Sequence, residues 1–123
     1  FNDGTTLMDM IFSLASADVT LSTGAFARTN ATPTTSITHC KMSGEGAAAD
    51  TLTDITGATA LVDGEIIRLQ IKTTAQPITI DHAAGIIELK DSTDWAMTKL
   101  AQWIDLYYDL ANTTWKEFCR YTA

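Results

Sequence analysis

The strongest constraint in this chain is a run of period two. In Ile66-Ile67-Arg68-Leu69-Gln70-Ile71-Lys72 the apolar Ile67, Leu69 and Ile71 alternate with Arg68, Gln70 and Lys72. Successive side chains of an extended strand point to opposite faces, so the run predicts a strand with one face buried and one wetted. Asp63-Gly64 before it and Thr73-Thr74-Ala75-Gln76-Pro77 after it carry turn chemistry. Ile78 and Ile80 repeat the alternation, and after Ala84-Gly85 the run Ile86 to Lys90 resumes it with Ile87 and Leu89 inward. Upstream, Ser36 to Met42 sets Cys40 and Met42 on one side, Gly44-Glu45-Gly46 predicts a turn, and Val19 and Leu21 alternate with Thr20 and Ser22 before Thr23-Gly24. Turn signals roughly ten residues apart predict an all-β sandwich or barrel rather than alternating βαβ units.

A chain of 123 residues encloses one core, and 46% hydrophobic against 19% charged residues excludes the composition of a disordered chain. We expect an N-terminal arm or short helix over 1–17 and the β-sandwich over 18–123. The arm is read from Leu7, Met10, Ile11 and Leu14, spaced i, i+3, i+4 and i+7 on one helical stripe. Phe1-Asn2-Asp3-Gly4, with neither Met nor a basic stretch, suggests a processed or truncated product.

The last third satisfies two periods. Met97, Leu100, Ala101, Ile104, Tyr107, Tyr108 and Ala111 fall on a helical stripe after Ser92. Against that helix, Trp103 to Tyr108 is rich in β-branched and aromatic residues, Asp109 to Thr113 offers a turn, and Thr114 to Cys119 returns. The balance favours a hairpin. Ile104, Leu106 and Tyr108 then form its buried face, joined by Phe118, while Trp103, Asp105 and Tyr107 face outward and Asp105 tolerates Lys.

Chemical parts are scarce. Metal ligation would draw on His39, Cys40, His82 and Cys119, but there is no CxxC or HxxxH, and adjacent His39 and Cys40 point to opposite faces of a strand. No metal site, cofactor or catalytic set is expected: a nucleophile elbow is lacking, Gly44-Glu45-Gly46 lacks the Lys of a phosphate loop, and the paired acids are sequence neighbours only. Two cysteines in a domain this large favour free thiols over a disulfide. Eight Lys and Arg against fifteen Asp and Glu, a net charge of −7, argue against nucleic acid as a partner. No stretch is long and apolar enough for a membrane span. Trp103 and Tyr107 are the candidate surface-binding residues, because such rings stack on sugars and anchor interfaces.

The texture and order of the second half resemble a known domain. The residues that carry the likeness are Ile37-Thr38-His39, Gly44-Glu45, Ala47 to Leu52, Ile55-Thr56-Gly57, Gly64 to Leu69, Ile78 to His82 and Gly85 to Leu89, with the ending Trp103 to Asp109 and Asn112 to Glu117. This series is similar to the C-terminal β-domain of tailed-phage structural proteins, of tail-fibre, tailspike or particle-surface decoration type. Leu110-Ala111 departs from the Gly-rich turn expected there. The resemblance implies an all-β fold, an antiparallel, jelly-roll-like β-sandwich, assembled as a non-enzymatic homotrimer at the virion surface, at a fibre tip or as capsid decoration. Such a trimer stabilises the particle, contacts the host or does both, with other virion proteins and a host surface glycan as the partners expected. In such a trimer Leu7, Met10, Ile11 and Leu14 are the candidate contacts about the axis; the alternative is that they cover their own domain's core. A carbohydrate-binding β-sandwich module of a bacterial protein is the other functional expectation.

Overall fold

The protein is described by a computed structural model covering residues 16–28, 37–57 and 61–123. The Leu7, Met10, Ile11 and Leu14 stripe, and the proposed arm up to residue 15, lie outside the described residues. Eleven strands are present among them: β1 Ser16–Thr20, β2 Ala25–Arg28, β3 Ile37–Ser43, β4 Asp50–Leu52, β5 Asp54–Gly57, β6 Ile66–Ile71, β7 Ile78–Ile80, β8 Ile87–Glu88, β9 Trp95–Met97, β10 Trp103–Asp109 and β11 Thr114–Tyr121. Sheet A runs β1-β3-β6-β10-β11-β8, sheet B pairs β2 with β5, and sheet C runs β4-β7-β9.

The fold is all-β and sandwich-like, with mixed sheets packing against each other. The period-two runs stand where the sequence placed them: Ile67, Leu69, Ile71, Ile78, Ile80, Ile87 and Leu89 are all buried, as are Cys40 and Met42. One core cluster joins them to Leu21 and Phe26 from the first turn of chain and to Leu52, Ile55, Met97, Ile104, Leu106, Tyr108 and Trp115. The Trp115 indole crosses this core and donates from Nε1 to the Ile55 carbonyl at 3.1 Å, tying sheet A to sheet B.

Strand direction corrects the expectation. Only β6–β10, β10–β11 and β7–β9 are antiparallel, whereas β1–β3, β3–β6, β2–β5, β4–β7 and β8–β11 are parallel. A jelly roll is therefore excluded. Parallel neighbours need a crossover, and here the crossover is made of strand. From β3 the chain passes through β4 in sheet C and β5 in sheet B before it returns beside β3 as β6. It winds around the core in coils, so Ile37 lies opposite Ile66, Asp50 opposite Ile78 and Ala25 opposite Asp54. Gly24, at φ 81°, sits where successive coils touch: its carbonyl accepts from the Thr53 amide at 2.7 Å, and a Cβ there would meet Thr53 Oγ1 at 2.8 Å.

The closing hairpin is a hairpin and not a helix. Its turn works without the Gly-rich sequence, because Asp109 accepts from the Asn112 side-chain amide at 2.7 Å and Thr113 takes the left-handed conformation at φ 52°. Phe118, expected in the core, is 54% exposed. The cause is a bulge: Asp105 pairs with Cys119 but Leu106 pairs with Glu117, so Phe118 is the extra residue and Glu117 takes the inward position. Glu117 is stabilised there by two hydrogen bonds from Arg120 at 2.7 Å and one from the Lys90 amide at 2.9 Å. Those donors hold its carboxyl below the ordinary glutamate range, Arg120 contributing most. Arg120 also reaches Asp91 at 3.3 Å and lies 4.9 Å over the Trp95 ring.

Candidate functional site

The wetted face of sheet A collects the side chains the alternation turned outward. On β3 these are His39 and Lys41, between buried Cys40 and Met42; on β6 they are Arg68 and Gln70, between buried Ile67, Leu69 and Ile71. Register then sets them in rows. Asp18 of β1 lies opposite Lys41, Lys41 opposite Gln70, and Trp103 opposite Tyr121. Ile104 pairs with Leu69 in the antiparallel sense, which carries the first row across from Gln70 to Trp103. The next row is His39, Arg68, Asp105 and Cys119.

The two rows are locked together. Arg68 donates from Nε to Asp105 Oδ1 at 2.8 Å and from Nη2 to Oδ2 at 2.9 Å, a two-pronged pair that uses the planar fork of the guanidinium. Its carbon lies 4.1 Å from the Trp103 ring centroid, and the Trp103 and Tyr121 rings stack at 6.2 Å with 23° between planes. Gln70 is oriented by His39 Nε2 at its Oε1 and donates from Nε2 to the Leu100 carbonyl at 3.2 Å. Side chains held this way lose little rotamer freedom when something binds.

The candidate residues read from sequence are both on this face, half-buried, but apart. Four residues of strand, about 13 Å at 3.3 Å per residue, separate Trp103 from Tyr107. Tyr107 belongs to another row, with Ile66 and Lys116. Trp103 joins instead Arg68 and Tyr121, and Tyr121, at 50% exposure, is the ring open to solvent. Alternation along the sequence sets Arg68 and Gln70 outward but does not single out Tyr121, which only the strand register places beside Trp103. Asp105 is on the outward side as expected yet only 5% exposed, because the Arg68 pair covers it, so it is no free surface position.

The two thiols are free, Cys40 buried and Cys119 exposed, on opposite faces of sheet A. Burial pushes the Cys40 thiol up to about 11. Among the described residues no three His, Cys, Asp or Glu converge as a metal set, and no helix is long and apolar enough to cross a membrane. A shallow depression of about 400 Å³ lies at the β1–β2 end, lined by Val19, Ala25, Phe26 and Ala27 with Thr20, Ser22 and Thr56. No protein-family model matches this chain, and no curated protein matches it.

Proposed function

We propose that the chain is a non-enzymatic structural module of a tailed-phage particle, a homotrimer at the virion surface that terminates a fibre or decorates the capsid. The observation that carries this reading is the difference between the two ends of the coil stack. At one end the antiparallel hairpin β10–β11 lies against β6, and the two-residue β8, parallel to β11, is the edge strand beyond it. At the other, β1 and β2 are edge strands among the described residues, with the shallow depression between them. Edge strands are blunted in lone domains by charge, proline or bulges. In β1 the sole charge is Asp18, and it is tied down by Lys72 at 2.7 Å. A coil stack that ends in a hairpin with a two-residue edge strand on one side, and among the described residues presents the longer edges β1 and β2 on the other, has the form of a terminal module on an elongated or multi-chain assembly. The texture shared with phage structural domains supports the same reading.

Light scattering of the purified chain tests it. The expected mass is three times 13.3 kDa, independent of micromolar dilution; a single 13.3 kDa species overturns the trimer. Mass spectrometry of purified particles tests the location.

A second reading, a carbohydrate-binding module, is favoured by one feature, the Arg68, Trp103 and Tyr121 stack on the wetted face of sheet A. This second reading makes that face a contact surface.

A further inference from the structure

Sheet A carries its charges mostly in closed pairs. Arg68 is matched by Asp105, and Lys116 by Asp109 at 3.3 Å. The corner where β1, β3 and β6 meet is different, because two ammonium groups there share one carboxylate. Asp18 accepts from Lys72 at 2.7 Å, while Lys41, directly opposite Asp18 in register, has no ion pair of its own among the described residues. In a chain of net charge −7 this corner has, among the described residues, one more ammonium group than carboxylates in its ion pairing. From it, the row runs through the Gln70 amide to Trp103 and the exposed Tyr121 ring. Three strand spacings, about 14 Å, separate β3 from β11.

We infer that the row Lys41, Gln70, Trp103 and Tyr121 is a binding site for a carboxylate-bearing sugar, of the uronic or sialic acid class, within a short oligosaccharide. The inference rests on the reading of the sheet A face as a contact surface, and charge complementarity selects the occupant. Tyr121, braced by Trp103 with Arg68 behind it, offers a ring for the apolar face of a pyranose. Gln70 offers its amide to hydroxyl groups and is already oriented by His39 and the Leu100 carbonyl. Lys41 pairs with the carboxylate, which removes the corner's uncompensated charge. A neutral glycan leaves that charge unmatched, and nucleic acid meets the repulsion of the acidic chain as a whole.

The test is titration of the full chain with a sialylated lactose, a hexuronate disaccharide and lactose, followed by tryptophan fluorescence and by the indole N–H resonances, with Trp103 assigned from Trp103→Phe. The expected result is saturable binding of both acidic sugars at millimolar concentration, weakened by salt, with lactose clearly weaker. Lys41→Gln should loosen the acidic sugars about tenfold, the loss of one charge-assisted contact, while leaving lactose unchanged. Tyr121→Ser should weaken all three. Both substitutions lie on the wetted side, and circular dichroism confirms the fold before either is read. Equal binding of lactose and acidic sugars, no saturable binding, or acidic-sugar affinity indifferent to Lys41→Gln overturns the inference. Light scattering on the same samples separates the two proposals: an intact trimer without sugar binding sinks the site alone, and a monomer that binds sugar sinks the virion-module reading.

Discussion

Arg68 grips Asp105 through two hydrogen bonds of 2.8 and 2.9 Å across adjacent antiparallel strands, and the same guanidinium covers the Trp103 ring. One side chain therefore neutralises a carboxylate that is 5% exposed and fixes an aromatic ring. Removing Arg68 leaves a desolvated charge with nothing beside it, whereas neutralising Asp105 leaves the half-exposed guanidinium to water. Arg68→Ala should cost roughly 2 to 3 kcal/mol and Asp105→Asn clearly less. Asp105→Lys, which faces Arg68 with a like charge, should be the worst of the three. Urea denaturation of the three variants orders them, and an Asp105→Lys protein as stable as the parent would show that the pair contributes nothing.

Leu106 and Tyr107 are neighbours with opposite fates, Leu106 fully buried and Tyr107 half-buried on the wetted face. Leu106→Asp puts an unpaired charge into the core and should lower stability by several kcal/mol, against about 1 kcal/mol for Tyr107→Asp. Thermal midpoints give the comparison directly. A larger loss at Tyr107 contradicts the hairpin.

Gly44 and Gly64 separate two reasons for glycine. At Gly44, with an ordinary φ of −76°, a Cβ would lie 1.8 Å from the Ala48 carbonyl oxygen, so Gly44→Ala must displace backbone. At Gly64, with φ 79°, a Cβ meets open space and only the left-handed conformation resists. Gly64→Ala should cost about 1 to 2 kcal/mol, and Gly44→Ala more. Equal midpoints for the two variants would mean that the Gly44 segment rearranges freely.

The Glu117 carboxyl is depressed in the folded state, first by Arg120. Its contribution to stability is complete above the unfolded glutamate value, about 4.3, and is lost as pH falls through the lower folded value. The stability gap between the parent and Glu117→Gln should be constant near neutrality and close below about pH 4. A gap that widens on acidification would reverse the sign of this linkage.

Thiol reactivity should count the two cysteines separately. Exposed Cys119 reacts with a disulfide reagent in the native protein, while Cys40, buried and with its thiol at about 11, reacts only on unfolding. One thiol per chain should titrate natively and a second in denaturant. Two fast native thiols would place Cys40 outside the core.

The amino-acid sequence by itself determined which residues face the core. Alternation is local, so Ile67, Leu69, Ile71, Ile104 and Leu106 could be assigned inward, and Arg68, Gln70 and Trp103 outward, without any partner strand. Period two says nothing about which strand lies alongside or in which direction it runs. Hence alternation and turn signals do not distinguish the parallel coils β1–β3–β6 and β4–β7 from an antiparallel sandwich, since consecutive turn signals look the same whether the chain doubles back within a sheet or moves on to the next. The bulge that expels Phe118 and turns Glu117 inward is likewise a property of the β10–β11 pair, decided by Arg120 and the Lys90 amide waiting for a carboxylate. The candidate site divides in the same way. Its chemistry was legible residue by residue, but the row from Lys41 to Tyr121 draws on four strands spread over 80 positions of sequence, and only the tertiary register, fixed by how one core is closed by three sheets, brings them into line.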